Sequence, residues 1–95
     1  MHGLAFLPEA LAEWNALDKG VRSQFRKALE KRLKSPVVES ARLRGDLREC
    51  FKIKLQSSGH RLVYTIENDQ LVVIVVAIGK RDNLAVYKAS TKRLS

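Results

Sequence analysis

The chain has 95 residues, 45% of them apolar, and carries 18 Lys and Arg against 10 Asp and Glu for a formal charge of +8. That length fits one domain over residues 1–95 with a thin core, and that apolar share excludes wholesale disorder. The longest apolar run, Leu71–Ile78, ends after eight residues at Gly79, too short for a membrane span, and no signal-like segment opens the chain. A cytoplasmic protein is therefore expected. Cys50 is the only cysteine, so no internal disulfide can form. It has no histidine beside it and precedes a strand-like run, which reads as a core thiol rather than a nucleophile.

Gly3–Leu7 reads as a short first strand. Pro8 suits a first helical turn and Glu9 favours the positive end of its dipole. Ala10, Leu11, Trp14 and Leu17 then form an apolar stripe at helical spacing. After Asp18-Lys19-Gly20 a second helix is expected from about Val21 to Lys34, with Val21, Phe25, Ala28, Leu29 and Leu33 inward. Its outer face carries Arg22, Arg26, Lys27, Lys31 and Lys34, and Ser35-Pro36 ends it. Residues 36–48 read as connection. Three strand-like runs follow at about 48–56, 60–67 and 70–78, joined by the turn-prone Gln56-Ser57-Ser58-Gly59 and Glu67-Asn68-Asp69. The third run lacks alternation, as a central strand covered on both faces would. The tail from Asn83 to Ser95 fits either a strand or a helix. The expected class is α+β, with two helices on one face of the sheet and the other face free.

Charge and periodicity converge on that free face. Residues 41–95 hold eleven basic and five acidic residues, whereas residues 1–40 hold seven and five. In Phe51-Lys52-Ile53-Lys54-Leu55 the alternation sets Lys52 and Lys54 on one side of a strand. Arg61 opens the next run and Arg81 follows the third. Cations gathered on one sheet face repel one another unless a polyanion sits there, which points to phosphate and to RNA. An anionic membrane, an acidic protein or a merely solvated basic surface also fits the charge. His60 reads as a turn residue rather than a general base.

The order Leu43-Arg44-Gly45, Cys50–Leu55, Ser57–Tyr64, Ile78-Gly79-Lys80-Arg81 and Val86-Tyr87, with Leu11, Glu13-Trp14 and Ser35-Pro36 before it, resembles the RelE toxins of the RelE/ParE superfamily. The resemblance runs nearly end to end. It implies a small RelE-like, microbial-ribonuclease-type fold: an N-terminal strand and two helices on a mainly antiparallel four-stranded sheet, then a short C-terminal segment. It also implies a ribosome-dependent mRNA endonuclease that needs no cofactor or metal. On this resemblance Lys52, Lys54, Arg61 and Arg81 match the cationic catalytic set and Tyr87 the aromatic that stacks on the displaced nucleotide. Arg44 and Lys80 match RNA contacts. The implied partners are a RelB-like antitoxin, acidic where it makes contact, and the ribosome with mRNA in its A site. Operator DNA would be reached only through the antitoxin, and no membrane is implied.

Two other readings stay open. ParE-like relatives inhibit DNA gyrase by binding, and generally lack the set Lys52, Lys54, Arg61, Arg81 and Tyr87. A non-catalytic module binding RNA or the ribosome would keep the charge without the chemistry. Phe51 departs from the Tyr more common in the family, and the Asp46–Glu49 connection differs in length and charge.

Overall fold

A computed structural model describes residues 1–80 and 84–95. Its four strands lie in the order β1-β4-β3-β2: β1 Gly3–Phe6, β2 Cys50–Lys54, β3 His60–Glu67 and β4 Val72–Lys80. β2 with β3 and β3 with β4 are antiparallel, joined by the two expected turns. β1 runs parallel to β4, so the sheet is mixed. The parallel pairing follows from the crossover: α1 (Pro8–Asn15) and α2 (Lys19–Lys34) come between β1 and the meander.

Both helices pack on one face. α1 opens with Pro8 in its first turn and Glu9 beside it. Ala10 and Trp14 are buried and Leu17 partly so, whereas Leu11 is 45% exposed and departs from the expected stripe. The inward arc runs Ala10, Glu13, Trp14, Leu17, and Leu11 falls outside it. α2 begins two residues earlier than expected, taking in Lys19 and Gly20, and buries Phe25 and Leu29. Against them lie Phe51, Ile53 and Leu55, then Leu62 and Tyr64 of β3, and Val73, Val75 and Ile78 of β4. Tyr64 is fully buried, and its polar end is satisfied. Its hydroxyl accepts from Arg32 Nη1 at 2.7 Å and donates to the Pro36 carbonyl at 2.8 Å, while its ring stacks on Phe51.

The other face is not free. The tail forms α3 (Ala85–Leu94), which lies across it and closes a second, smaller core of Leu47, Cys50, Val63, Val76, Ala77 and Val86. Val86 and Ser90, one turn apart, are its buried residues, a helical period that the short tail shows weakly. β4 thus has apolar cover on both sides, which accounts for its missing alternation. It also carries a β-bulge: Val63 pairs with Ala77 but Tyr64 pairs with Val75, leaving Val76 without a ladder partner. Val76 and Ala77 both face the second core, so Ile78 returns to the first core and Gly79 lies under α3. Among the described residues no helix is long and apolar enough to cross a membrane.

Candidate active site

The strand pairing sets the cations side by side. On β2, Phe51 and Ile53 point into the α1/α2 core, so Cys50, Lys52 and Lys54 point to the α3 face. Cys50 is buried, Lys52 half-buried and Lys54 exposed, a gradient running from under α3 out to solvent. Lys54 is the direct register partner of Arg61, and Arg61 is the partner of Gly79. Lys52 pairs with Val63, one row further in. Side chains directly opposite have Cβ atoms about 4.5–5.5 Å apart, so Lys54 and Arg61 share one patch.

Nothing among the described residues neutralises that patch. The ion pairs there are Arg42–Glu39 and Arg93–Glu13, and neither involves Lys52, Lys54 or Arg61. Arg61 Nε is buried and has no hydrogen-bond partner among the described residues. Two unit charges 4 Å apart repel by about 1 kcal/mol in water and about 4 kcal/mol at the effective dielectric of a protein surface. A buried donor without an acceptor adds to the cost. Both costs are relieved by an anion whose oxygens reach the guanidinium and the ammonium together.

Tyr87 is half-buried in the first turn of α3, at the rim of the second core. Its neighbour Val86 sits over Gly79, where a Cβ would lie 3.7 Å from that of Val86. Because Gly79 is the register partner of Arg61, the turn bearing Tyr87 borders the cationic row. Leu84 enters the helix in a left-handed conformation at φ 59. Arg44 is exposed and stands before Gly45, whose φ of 64 starts a 3-10 turn at Gly45–Leu47 that ends on the second core at Leu47. Lys80 is exposed at the end of β4 and pairs with His60, and strand alternation sets both on the opposite face from Arg61. Arg81 lies outside the described residues.

The histidine and the thiol take other places. His60 is the first residue of β3 rather than part of the turn, and its Nδ1 lies 2.8 Å from Ser58 Oγ. Burial pushes the Cys50 thiol pKa up, with a hydrogen bond to Thr65 opposing it, so the thiol stays protonated and inert. Among the described residues no group of His, Cys, Asp and Glu could hold a metal ion. Glu13 and Arg93, which had no assigned role among the candidate site residues, join α1 to α3 in a half-buried pair. The signal for Glu13 was a carboxylate inside the Ala10–Trp14–Leu17 arc; Arg93 had none, because the fate of the tail was open.

The arrangement matches known proteins throughout. The sequence model of the family described as "ParE toxin of type II toxin-antitoxin system, parDE" matches residues 4–85. The mRNA interferase toxin RelE of Escherichia coli strain K12 is 45% identical over 91 residues, which cover 96% of this chain and 95% of that protein. A mutant of E. coli RelE solved in the free state superposes with a TM-score of 0.90 at 42% identity, covering 99% of this chain and 98% of the other. The toxin chain in the intact E. coli RelBE toxin–antitoxin complex gives 0.83 at 43% identity, over 87% of this chain and all of that one.

Proposed function

The chain belongs to the RelE/ParE family of toxins from type II toxin–antitoxin systems, and from that premise we propose that it is a ribosome-dependent mRNA endonuclease that stops translation by cutting within the A-site codon. The observation that carries this reading is the Lys54–Arg61 pair: register partners that, among the described residues, have no ion-pair partner and leave a buried guanidinium nitrogen unbonded. A phosphodiester in its transition state is the ligand that such a patch suits best.

The chemistry is transesterification. The ribose 2′-OH attacks its own 3′-phosphate, the P–O5′ bond breaks, and the products are a 2′,3′-cyclic phosphate and a 5′-OH end. Negative charge grows on the pentacoordinate phosphorane, and fixed cations stabilise it in the transition state more than in the ground state. Arg61 grips two phosphate oxygens with its planar fork, and Lys52 adds a point charge from the inner row. Lys54, reacting as the neutral amine, takes the proton of the 2′-OH and becomes an ammonium beside the phosphorane. Arg81 stabilises the leaving 5′-oxygen by charge, since a guanidinium is a poor proton donor, and solvent water protonates that oxygen to the 5′-OH. Tyr87 stacks on a base, a contact worth about 1–3 kcal/mol in comparable cases. Arg44 and Lys80 hold RNA backbone beside the site, Lys80 from the exposed end of β4. No step calls for a metal or cofactor.

A site whose candidate base is a lysine, with no His or Glu pair of the usual ribonuclease type beside it among the described residues, gains from having its substrate aligned by something else. The ribosomal A site supplies that alignment, worth several orders of magnitude in effective molarity. The partner that silences the toxin is an antitoxin whose acidic segment folds onto the basic face and replaces α3 there. Its DNA-binding part would carry the complex to an operator. Ribosomes and mRNA place the activity in the cytoplasm. Gyrase inhibition is the weaker reading, because gyrase-directed relatives generally lack the set Lys52, Lys54, Arg61, Arg81 and Tyr87 that this chain carries.

The test is cleavage on ribosomes holding a defined A-site codon, with naked mRNA as control and 5′ ends mapped by primer extension. A cut within the codon, absent on naked RNA and lost in Arg81→Ala, is expected. An antitoxin-free, folded chain that leaves ribosome-bound mRNA whole would sink the nuclease and turn attention to gyrase supercoiling.

A further inference from the structure

α3 has a modest apolar hold on the sheet. Of its ten residues only Val86 and Ser90 are buried, with Tyr87 and Ala89 partly buried against the second core, and the Ser90 hydroxyl donates back to the Val86 carbonyl within the helix. Isolated helices shorter than about 12–15 residues are marginal in water, so the tertiary ties of α3 decide whether it is formed at all. At its N-terminal end the tie is Val86 on Gly79. At its C-terminal end the tie is polar. Arg93 donates from Nη1 to Glu13 Oε1 at 2.8 Å and from Nη2 to Glu13 Oε2 at 3.0 Å, a bidentate ion pair. Nη1 also donates to the Val76 carbonyl at 2.9 Å, and Glu13 Oε1 accepts the Ile78 N–H at 3.1 Å.

Those two backbone groups are the ones the sheet leaves open. β1 stops pairing at Phe6 with Val75, after which the chain turns into α1 and the outer edge of β4 has no strand beside it. Val76 is the bulged residue, with its carbonyl turned out of the ladder. A half-buried edge of this kind needs partners for its N–H and C=O groups, and Glu13 and Arg93 supply one each. The side chains are 33% and 17% exposed, which shields the pair more than an ordinary surface bridge. Charge-assisted and bidentate, it is the strong form of such a contact.

We propose that Glu13 and Arg93 are positioning residues for the cleavage: they clasp α3 to the open edge of β4 and so fix Tyr87 beside the Lys54–Arg61 row. The inference rests on reading the chain as an mRNA-cleaving toxin. Arg93 stands six residues beyond Tyr87, about 9 Å along the helix. With the clasp undone, α3 retains Val86 as its one buried apolar anchor and frays, carrying Tyr87 away. Lys52, Lys54 and Arg61 stay, because β2 and β3 set their positions. The same release clears the face for an antitoxin segment that replaces α3, so the pair sets the balance between cutting and capture.

Four full-length proteins test this: the native chain, Glu13→Gln, Arg93→Lys and Arg93→Ala. Amide hydrogen exchange reads the docking of α3, and the ribosome assay reads cleavage at saturating and limiting protein. In Arg93→Ala, exchange over α3 should speed up at least tenfold while β3 and β4 keep their protection. The saturating cleavage rate should fall about tenfold or more, with a smaller change in the half-saturating concentration. Arg93→Lys should recover part of both, since an ammonium keeps one acceptor, and Glu13→Gln should fall between, holding Ile78 without the charge. Native protection of α3 in Arg93→Ala overturns the clasp, and lost protection with full cleavage overturns its positioning role. Protection lost across β3 and β4 in both Arg93 variants makes the pair a general stability element and overturns the proposal as well. A native chain that fails to cut refutes the nuclease reading instead, and hydrogen exchange still decides the clasp.

Discussion

The α1/α2 face of the sheet buries Trp14, Phe25, Leu29, Phe51 and Tyr64, whereas the α3 face buries Leu47, Cys50, Val63, Val76, Ala77 and Val86. The first is thick and aromatic, its buried tyrosine hydroxyl fully bonded. The second is built almost wholly of small side chains, rimmed by cations, and holds a buried guanidinium nitrogen with no partner among the described residues. One sheet thus carries its stability on one side and its unsatisfied charge on the other. Separating the two lets the charged side be poorly packed without threatening the fold.

Substitutions on the two faces should part company. Phe25→Ala should remove about 3–5 kcal/mol of stability, read as a lower urea midpoint, with cleavage by the folded fraction intact. Equal loss of activity per folded molecule would show that the faces are coupled after all. Arg61→Ala should do the reverse and slow cleavage about 10²–10³-fold, the cost of removing one fixed transition-state donor. Its melting midpoint should hold or rise, because a buried donor without an acceptor disappears. A marked fall in that midpoint would mean Arg61 is structural.

Tyr64→Phe offers a finer cut. It strands Arg32 and the Pro36 carbonyl without opening a cavity, a loss of about 1–3 kcal/mol, and should leave cleavage alone at a permissive temperature. The smallest effect belongs to Cys50. Because burial raises its thiol pKa, the native protein should resist thiol reagents at neutral pH and react readily only in urea. Rapid labelling of the native chain would show that the second core opens often.

Much of this contrast was legible from residues alone. Alternation in Phe51-Lys52-Ile53-Lys54 assigned both lysines to one face, and Gln56–Gly59 read as a hairpin turn, whereas the register that brings Arg61 opposite Lys54 is seen only in the structure. The face itself was misjudged as free, since a ten-residue tail with one strongly buried apolar side chain gives little periodic signal. Lys80, grouped with the cations by its place beside Arg81, is exposed at the end of β4 opposite His60, beside a cavity that Ala85, Val86 and Ala89 of α3 also line. Dividing charge by halves of the chain also hid something. All seven basic residues of the first forty lie on α2, with Glu30 as the only acid in that helix, so the far side of the molecule is strongly basic too. Long-range facts such as the Arg93–Glu13 pair, eighty residues apart, leave no local trace.

Val76 shows what a spare residue can be for. Were it deleted, Val75, Ala77, Ile78 and Gly79 would alternate regularly and each would keep the face it occupies now. Neither core would lose its pattern, and the ladder would gain regularity. What would vanish is one buried valine of the second core and an outward carbonyl that accepts one of the three hydrogen bonds of Arg93. A shortened strand of that kind would be a more regular sheet whose tail kept the Arg93–Glu13 pair but lost its direct bond to the strand, a neater ladder with a looser hold on its last helix.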